Sequence, residues 1–461
     1  MAAARRLTVL AVALAALAGC TAARTPAAPS SSTGGASAVS ASPSAAPSGG
    51  TPARPFEAAA PSLPAGVPAP PTTQECLDRG SIRCYSPAQL ARAYDLEPLW
   101  KQGWTGAGRT IAIVDSFGSP TIREDLHAFD AAFGYPDPKL TIVQPAGKPP
   151  AFDRTNSEQL GWAGETTLDV EWAHAVAPGA DILLVETPVA ETEGLTGFPE
   201  IVKAETYVLD RDLADVISQS LGATEQTFAS KDELRGQRDA FEAAQAKGVT
   251  VLAASGDDGP LARDLKMRRL TTRGVGWPAT DPLVTAIGGT ALTLDAEGRR
   301  EAPDAAWGGR GADGASGGGR SVVFPRPDWQ DGVRDVVGTA RGVPDISMSA
   351  AVDGGALVWS SYTGTGGWSV IGGTSEATPL FAGVVAIADQ VAGRRLGLLN
   401  PTLYRLAARG ADAGIVDVTR GSNAVGNRPG FPARRGYDLA TGLGTVDADK
   451  LVRALATAGS G

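Results

Sequence analysis

The chain has 461 residues, of which 43% are hydrophobic and 20% are charged, and its formal net charge is −9. This length and composition suit a globular enzyme with a large core. The charge balance predicts an acidic surface without a basic cluster, which argues against nucleic acid as a partner.

The amino end is typical of a targeting segment. Two arginines, Arg5 and Arg6, precede an apolar run over residues 7–19 that is too short to span a bilayer but suits the core of a signal peptide. The motif LAGC, which ends at Cys20, resembles the lipobox of bacterial lipoproteins and implies a lipid on that cysteine. The alternative is an ordinary signal peptide cleaved nearby, for example after TAA. With a lipid, we expect contact with the outer face of the cytoplasmic membrane through this anchor alone.

Residues 21–75 are almost wholly Ala, Pro, Ser, Thr and Gly, a composition that predicts a disordered tether. At about 5–6 Å × √n it reaches roughly 40 Å. Cys76 and Cys84 follow, and such a close pair outside the cytoplasm predicts a disulfide that closes a small loop. The predicted organisation is therefore a signal peptide over 1–20, a tether over 21–75 and one catalytic domain over 76–461.

Strands and helices alternate from residue 110 onward. Short apolar runs rich in β-branched residues indicate strands that are buried on both faces, at 110–115, 181–186, 215–222, 249–255 and 284–289. Helical patterns occupy 121–134, 158–177, 198–210 and 231–248. This order predicts an α/β fold with a doubly wound, mostly parallel sheet and helices on both faces.

The segment GETTLDVEWAHAVAPGA places two carboxylates, Glu165 and Asp169, four residues apart in a helical pattern. They project from one helix face at adjacent turns, where two like charges do not both ionise easily. Such a pair can take a proton from a nucleophile and return it to a leaving group. The alternative is a solvated acidic helix face.

A third carboxylate follows the strand in VTVLAASGDDG. Asp257 comes after Ser255 and Gly256 at the carboxyl end of the strand, where open parallel sheets place their chemistry. The alternative for Asp257 and Asp258 is a plain turn between strand and loop.

The candidate nucleophile is Ser375 in GGTSEATPLFAG. Two glycines, Gly372 and Gly373, permit a tight backbone approach, and the apolar stretch 380–391 reads as a buried helix. Near a helix N-terminus, free N–H groups favour an attacking oxygen and a developing oxyanion. The alternative is an N-cap serine with a structural role only.

Together these segments resemble the sedolisin family, the serine-carboxyl peptidases with a subtilisin-like fold. GWPATDPLVTAIGGTAL, SGGGRSVVFPRPDWQ, RGVPDISMSA and GYDLATGLG carry the same resemblance, in the same order, from about Cys84 onward. The resemblance implies that Glu165 is the base, Asp169 orients it, Ser375 is the nucleophile and Asp257 stabilises the oxyanion as a neutral acid. It also implies that the segment Ser220-Leu221-Gly222 pairs with a peptide substrate; the alternative is a simple strand end.

The same resemblance implies one structural calcium ion near the C-terminus. Asp417 and Asp438 match the family's two carboxylates, with the carbonyls of Val418, Gly436 and, as a further candidate, Arg434. Two turn aspartates that cap helices are the alternative. The long prodomain of many sedolisins has no counterpart in the predicted tether.

Histidine content separates this chain from an ordinary subtilisin, because a Ser-His-Asp triad needs an imidazole. Only His127 and His174 are present, and both patterns predict structural roles. We therefore expect a secreted, monomeric serine-carboxyl endopeptidase that acts on peptides at acidic pH. The alternatives are a catalytically silent homologue that binds peptides and a solute-binding lipoprotein.

Overall fold

The computed structural model of the chain describes residues 66–458. The predicted signal peptide, Cys20 and the tether up to residue 65 lie outside these residues. Within the remainder of the predicted tether, residues 66–72 have no helix or strand, and the first helix begins at Thr73. No helix in the described part of the chain combines the length and apolar character needed to span a bilayer.

The strands of residues 66–458 range from two to seven residues in length. In chain order they are β1 (Cys84–Tyr85), β2 (Thr110–Ser116), β3 (Leu140–Val143), β4 (Asp181–Thr187), β5 (Val216–Gln219), β6 (Ala223–Thr224), β7 (Thr250–Ala254), β8 (Leu261–Arg263), β9 (Arg269–Arg273), β10 (Gly276–Trp277), β11 (Thr285–Ala291), β12 (Ala305–Ala306), β13 (Gly319–Pro325), β14 (Ala340–Val343), β15 (Ile346–Ser349), β16 (Gly355–Ser360), β17 (Gly367–Ile371), β18 (Ile415–Val416) and β19 (Thr445–Val446).

The helices include two long ones, α5 and α10, that carry the residues of interest. In chain order they are α1 (Thr73–Gly80), α2 (Pro87–Ala93), α3 (Glu97–Trp100), α4 (Ile122–Phe133), α5 (Ser157–Val176), α6 (Phe198–Asp210), α7 (Lys231–Arg235), α8 (Asp239–Lys247), α9 (Arg334–Val337), α10 (Thr374–Ala392), α11 (Asn400–Leu406) and α12 (Ala448–Thr457). Short 3₁₀ turns occupy Glu225–Thr227, Asp328–Val333 and Ala407–Ala413.

The central sheet has the strand order β12-β11-β7-β5-β2-β4-β3, and β15 also pairs with β11. All pairings are parallel except that of β12 with β11. The chain starts this sheet at β2, adds β3 and β4 on one side, and then crosses to β5, β7 and β11 on the other. The predicted doubly wound α/β fold is confirmed, and its topological switch point lies between β2 and β5.

Side chains alternate between two cores along each central strand. On β2, Ile111 and Ile113 pack into the core under α4, α5 and α10, whereas Ala112 and Val114 pack into the core under α6 and α8. This period of two explains the continuous apolar runs, because a strand covered on both faces has no polar side.

The prediction of one continuous helix over 231–248 is wrong. The structure has two helices there, α7 and α8, separated by residues 236–238. Gly236 follows α7 directly, and glycine is a poor helix former because it loses much backbone freedom on folding.

The expectation of a surface without a basic cluster is also wrong. Strands β8 and β9 pair as an antiparallel hairpin, and all five residues of β9 are exposed. Residues 261–273 contain five cationic side chains and a single acidic one. The net charge of the chain does not reveal this local excess of positive charge, because it is summed over all the residues.

The amino-terminal part of the described chain is joined to the domain by the predicted disulfide, which is confirmed between Cys76 and Cys84. Strand β1, which begins at Cys84, pairs in parallel with β16. Both cysteines are buried, beside Leu357 of β16. This link attaches α1 to the sheet formed by β1, β16 and β17.

Helices α5 and α10 approach each other closely at Gly383. A Cβ at that position would lie 2.6 Å from Cβ and Cγ1 of Val176 and 3.2 Å from the carbonyl oxygen of Ala173. Only glycine fits without a shift, because real Cβ atoms do not approach other atoms so closely. The spacing of the two helices therefore depends on the missing side chain.

We expect Gly383→Ala to destabilise the domain by about 1–3 kcal/mol, because the added methyl group forces α5 and α10 apart. The measurement is the melting temperature by differential scanning calorimetry. Gly332→Ala is the matched control, since nothing lies within 4 Å of a Cβ at Gly332. Equal melting temperatures for the two variants would contradict the close helix contact.

Candidate active site

The predicted site residues gather at the carboxyl ends of the central strands. Asp115 lies near the end of β2, Ser220 follows β5, and Asp257 comes three residues after β7. Helices α5 and α10 contribute side chains from above the same edge. This edge includes the topological switch point, where doubly wound sheets open a crevice for ligands.

Ser375 is the second residue of α10 and is partly exposed. Gly373 precedes the helix with φ 111°, and a Cβ there would lie 2.8 Å from Asp257 Oδ2, so this position requires glycine on two counts. Pro379 inside the helix has no N–H for the Ser375 carbonyl, which instead accepts a hydrogen bond of 3.4 Å from the Ser220 hydroxyl.

Helix α5 supplies the two predicted carboxylates. Its N-terminus is capped by Asn156, whose side chain accepts hydrogen bonds from the N–H groups of Glu158 and Gln159. Glu165 keeps some contact with solvent, whereas Asp169, one turn further on, is fully buried. The helix thus aims one carboxylate at the crevice and holds the other behind it.

Burial raises the pKa of Glu165 to about 8, and the charges of Asp115 and Asp257 act in the same direction. Hydrogen bonding from the hydroxyls of Ser375 and Ser220 opposes this shift, because it favours the charged carboxylate. Burial and the charges of Asp115 and Glu165 raise the pKa of Asp169 well above its usual range. Neither Asp169 oxygen forms a direct hydrogen bond within residues 66–458.

Asp115 is a member of the same carboxylate group that the sequence analysis missed. It is fully buried, and burial raises its pKa to about 7. Its charge disfavours ionisation of both Glu165 and Asp169. The available signal was an aspartate at the carboxyl end of the apolar run TIAIVD, the same signal that identified Asp257 near β7.

Asp257 is tied to the start of α10 by two hydrogen bonds to one oxygen. Oδ1 accepts from the backbone N–H of Thr374 at 2.8 Å and from its hydroxyl at 2.9 Å. Burial raises the pKa of Asp257, which favours the neutral acid. With Oδ1 occupied as an acceptor, the proton of the neutral acid belongs on Oδ2, which lies beside Gly373.

Protonation of Asp257 would place two donors near Ser375 for an oxyanion. One is the Oδ2–H of neutral Asp257. The other is the Ser375 N–H, which lies in the first turn of α10 and forms no hydrogen bond to another residue of the described chain. This arrangement can stabilise negative charge on an oxygen that is placed next to the Ser375 hydroxyl.

All four predicted catalytic residues, Glu165, Asp169, Asp257 and Ser375, thus lie in one group. The two histidines lie elsewhere: Nδ1 of His127 contacts Asp137, and Nε2 of buried His174 contacts the Pro136 carbonyl at 3.0 Å and Asp130 at 3.3 Å. No contact joins either imidazole to Ser375 in residues 66–458.

The segment Ser220-Leu221-Gly222 continues from β5 toward the edge of the crevice. Beyond it, Thr224 is held by two neighbours: its N–H donates to Glu193 at 2.7 Å, and its hydroxyl accepts from the Arg263 N–H at 3.0 Å. The segment is therefore fixed at both ends, by Ser220 against α10 and by Thr224 against Glu193 and the β8–β9 hairpin.

The predicted metal residues also lie close together, around the turn 434–436. Asp438 Oδ2 accepts from the Arg434 N–H at 2.8 Å, and Asp417 Oδ2 accepts from the Gly436 N–H at 2.9 Å. No hydrogen bond among residues 66–458 uses the carbonyls of Val418 or Gly436. Two carboxylates and free carbonyls form a hard oxygen set that suits calcium. No group of three or more His, Cys, Asp or Glu residues in the described chain could hold a metal by itself.

Comparison with known proteins places these observations in a family. A model of the subtilase family matches residues 161–405. Kumamolisin from Bacillus sp. (strain MN-32) is 34% identical over 379 residues, which are 80% of this chain and 63% of kumamolisin. Sedolisin from Pseudomonas sp. (strain 101) is 30% identical over 381 residues, which are 81% of this chain and 62% of sedolisin. The chain therefore spans less than two thirds of either relative.

A solved structure shows the same fold. Pseudomonas sedolisin, described as a serine-carboxyl proteinase complexed with two molecules of pseudo-iodotyrostatin, superimposes with a TM-score of 0.69 at 28% identity. The match covers 82% of this chain and 100% of that one.

Proposed function

This chain belongs to the subtilase family and is of the sedolisin type, and we propose that it is a serine-carboxyl endopeptidase active at acidic pH. The observation that carries this proposal is the position of Ser375 beside Glu165, whose charged form its hydroxyl favours, and directly after Thr374, whose N–H donates to Asp257. A nucleophile, a base and oxyanion donors are what acyl transfer needs.

The proposed reaction begins when Ser375 Oγ attacks the carbonyl carbon of the scissile peptide bond and its proton passes to Glu165. The carbonyl oxygen becomes an oxyanion, which accepts hydrogen bonds from Asp257 Oδ2–H and the Ser375 N–H. Collapse breaks the C–N bond, and Glu165 returns the proton to the leaving amine. Water then hydrolyses the acyl-enzyme by the same steps.

In this scheme Glu165 is the ionised member of the carboxylate group formed by Asp115, Glu165 and Asp169. The Ser375 and Ser220 hydroxyls both favour a charged Glu165, whereas Ser220 alone favours a charged Asp169, which is also the more deeply buried of the two. A neutral Asp169 therefore carries the proton that the group retains, and it orients Glu165 without competing for the Ser375 proton. Asp115 is a third carboxyl group whose charge affects the ionisation of this pair.

The peptide is proposed to lie in extended form along Ser220-Leu221-Gly222, by strand addition. Delivery to the outer face of the membrane, through a lipid on Cys20 and the tether, remains part of the proposal and is supported by the composition of residues 1–75.

We expect Ser375→Ala and Glu165→Gln each to lower kcat/KM by about 10³-fold or more, because the residues act as a unit. Digestion of a mixed peptide library from pH 3 to 7, with cleavage sites identified by mass spectrometry, gives the measurement. Unchanged circular dichroism spectra control for folding. Full activity in either variant would exclude the proposed roles.

A second expectation concerns Asp257→Asn, which keeps a neutral side chain at all pH values. Its carbonyl can accept from Thr374 while its amide donates where Oδ2–H did, so we expect it to retain activity at the higher pH values where wild-type activity falls. The wild type loses activity as pH rises through the Asp257 pKa, since an ionised Asp257 repels the oxyanion. Identical alkaline limbs in the pH profiles of kcat/KM would refute this role.

We further propose that one calcium ion binds Asp417 and Asp438 together with the carbonyls of Val418 and Gly436, with the Arg434 carbonyl as an additional candidate. When bound, the ion would join the loop after β18 to the segment before β19 by ligation of hard oxygens. It has no part in the chemistry at Ser375.

Calcium at a hundredfold excess over its dissociation constant should stabilise the native state by about 2.7 kcal/mol. We expect a chelator to lower the melting temperature of calcium-loaded protein and Asp417→Asn to remove that dependence. Asp417 is exposed, so its replacement leaves the core intact. Asp412→Asn, exposed on the preceding 3₁₀ turn, is the control. A melting temperature that the chelator does not change would argue against the site.

A further inference from the structure

The cationic hairpin of β8 and β9 starts three residues after Asp258 and is attached to it by two arginines. Arg263 binds Asp258 through Nε and Nη2, and Arg269 donates from Nε to Asp258 Oδ1 at 2.7 Å. The charge of Arg263 also favours ionisation of Asp257. The hairpin therefore lies next to the proposed oxyanion site rather than on a remote surface.

Two cations of the hairpin have no acidic partner in residues 66–458. Lys266 forms no ion pair, and the Arg273 guanidinium lies 4.1 Å from the centre of the Phe431 ring instead of beside a carboxylate. Both side chains are exposed. Since the chain as a whole has a net charge of −9, this unpaired positive charge on the hairpin is a local reversal of sign.

The hairpin also borders the segment along which the peptide is proposed to lie. Arg263 donates through its backbone N–H to Thr224, two residues beyond Gly222. At the tip, Leu265 is 68% exposed and lies within contact distance of Gly194 in the loop after β4. The loop and the hairpin thus flank the continuation of Ser220-Leu221-Gly222 from two sides.

We propose that this hairpin selects peptide substrates that carry an acidic side chain on the part of the peptide paired with Ser220-Leu221-Gly222. The inference rests on the proposed peptidase function and adds a substrate class to it. A carboxylate at this position meets the unpaired charges of Lys266 and Arg273, while a cationic side chain is repelled by them. An apolar neighbour in the peptide can contact exposed Leu265.

Exposed charge pairs are weak, so we expect a preference of about three- to tenfold in kcat/KM rather than absolute specificity. The preference should shrink as salt rises from about 0.05 to 0.5 M, because the Debye length falls with ionic strength. A substrate glutamate, with a pKa of about 4.3, is partly neutral at acidic pH, whereas a sulfonate stays charged.

The experiment uses peptides that differ at one position at a time among the four residues before the cleaved bond. Each position carries glutamine, glutamate, cysteic acid or lysine. At pH 4 and at one or more positions, we expect kcat/KM to decrease in the order cysteic acid, glutamate, glutamine, lysine. At pH 5.5 the glutamate and cysteic acid peptides should become equal.

Charge-reversal variants assign the preference to the hairpin. Lys266→Glu and Arg273→Glu should each reduce the ratio of cysteic acid to lysine peptides, and the double variant should invert it. The glutamine peptide should change little in either variant. Arg409→Glu, an exposed arginine on the 3₁₀ turn after α11, is the matched control and should leave the ratio unchanged.

The outcomes separate this inference from the function on which it rests. Cleavage of none of the peptides would overturn the proposed peptidase function. Equal kcat/KM values for the four side chains at every peptide position would overturn the role of the hairpin alone. A preference that persists in the double variant would do the same. Binding to vesicles of anionic phospholipid that depends on Lys266 and Arg273, with no peptide preference, would assign the hairpin to a membrane surface and also overturn the proposal.

Discussion

The contact between α5 and α10 is the constraint on which the candidate site depends. Helix α5 carries Glu165 and Asp169, helix α10 carries Ser375, and the two helices touch where Gly383 meets Val176. Ser375 and Gly383 are eight positions apart in the same helix, so a change in this contact shifts the start of α10, where Ser375 lies. The alternating apolar strands beneath the two helices provide the surface on which they are held. Packing and chemistry are therefore set by the same interface.

In the proposed mechanism carboxylates take the place of an imidazole, and burial is the physical reason that they can. A solvated glutamate is a weak base for a serine hydroxyl, because its pKa of about 4.3 is low. Burial of Asp115, Glu165 and Asp169 in one group raises all three pKa values, and protons are then shared within the group. The same burial acts on Asp257 and favours the neutral form that can donate to an oxyanion. In the proposed mechanism this one physical effect makes Glu165 a stronger base and keeps Asp257 neutral, and it is the neutral form of Asp257 that links activity to acidic solution.

The crevice differs in charge from the chain around it. The group around Ser375 holds carboxyl groups whose pKa values burial raises, and the neighbouring β8–β9 hairpin carries four arginines and one lysine. Asp258 joins the two regions, since it follows Asp257 in sequence and binds Arg263 and Arg269. In the proposed function the hairpin responds to substrate charge, while the buried carboxyl groups carry out the acid–base chemistry. The net charge of the whole chain therefore describes neither the carboxyl groups near Ser375 nor the β8–β9 hairpin.

The sequence by itself determined the doubly wound α/β fold, the disulfide and the group of site residues, because these depend on local patterns: apolar runs of strand length, two close cysteines, an i,i+4 carboxylate pair and a serine after two glycines. It did not determine that Asp115 joins that group, that Gly236 divides a helix, or that β8 and β9 expose a cationic hairpin beside Asp258. Those features depend on which strands become neighbours and on how deeply each side chain is buried. Burial and proximity across long sequence separations are properties of the packed chain, and only the tertiary structure decided them.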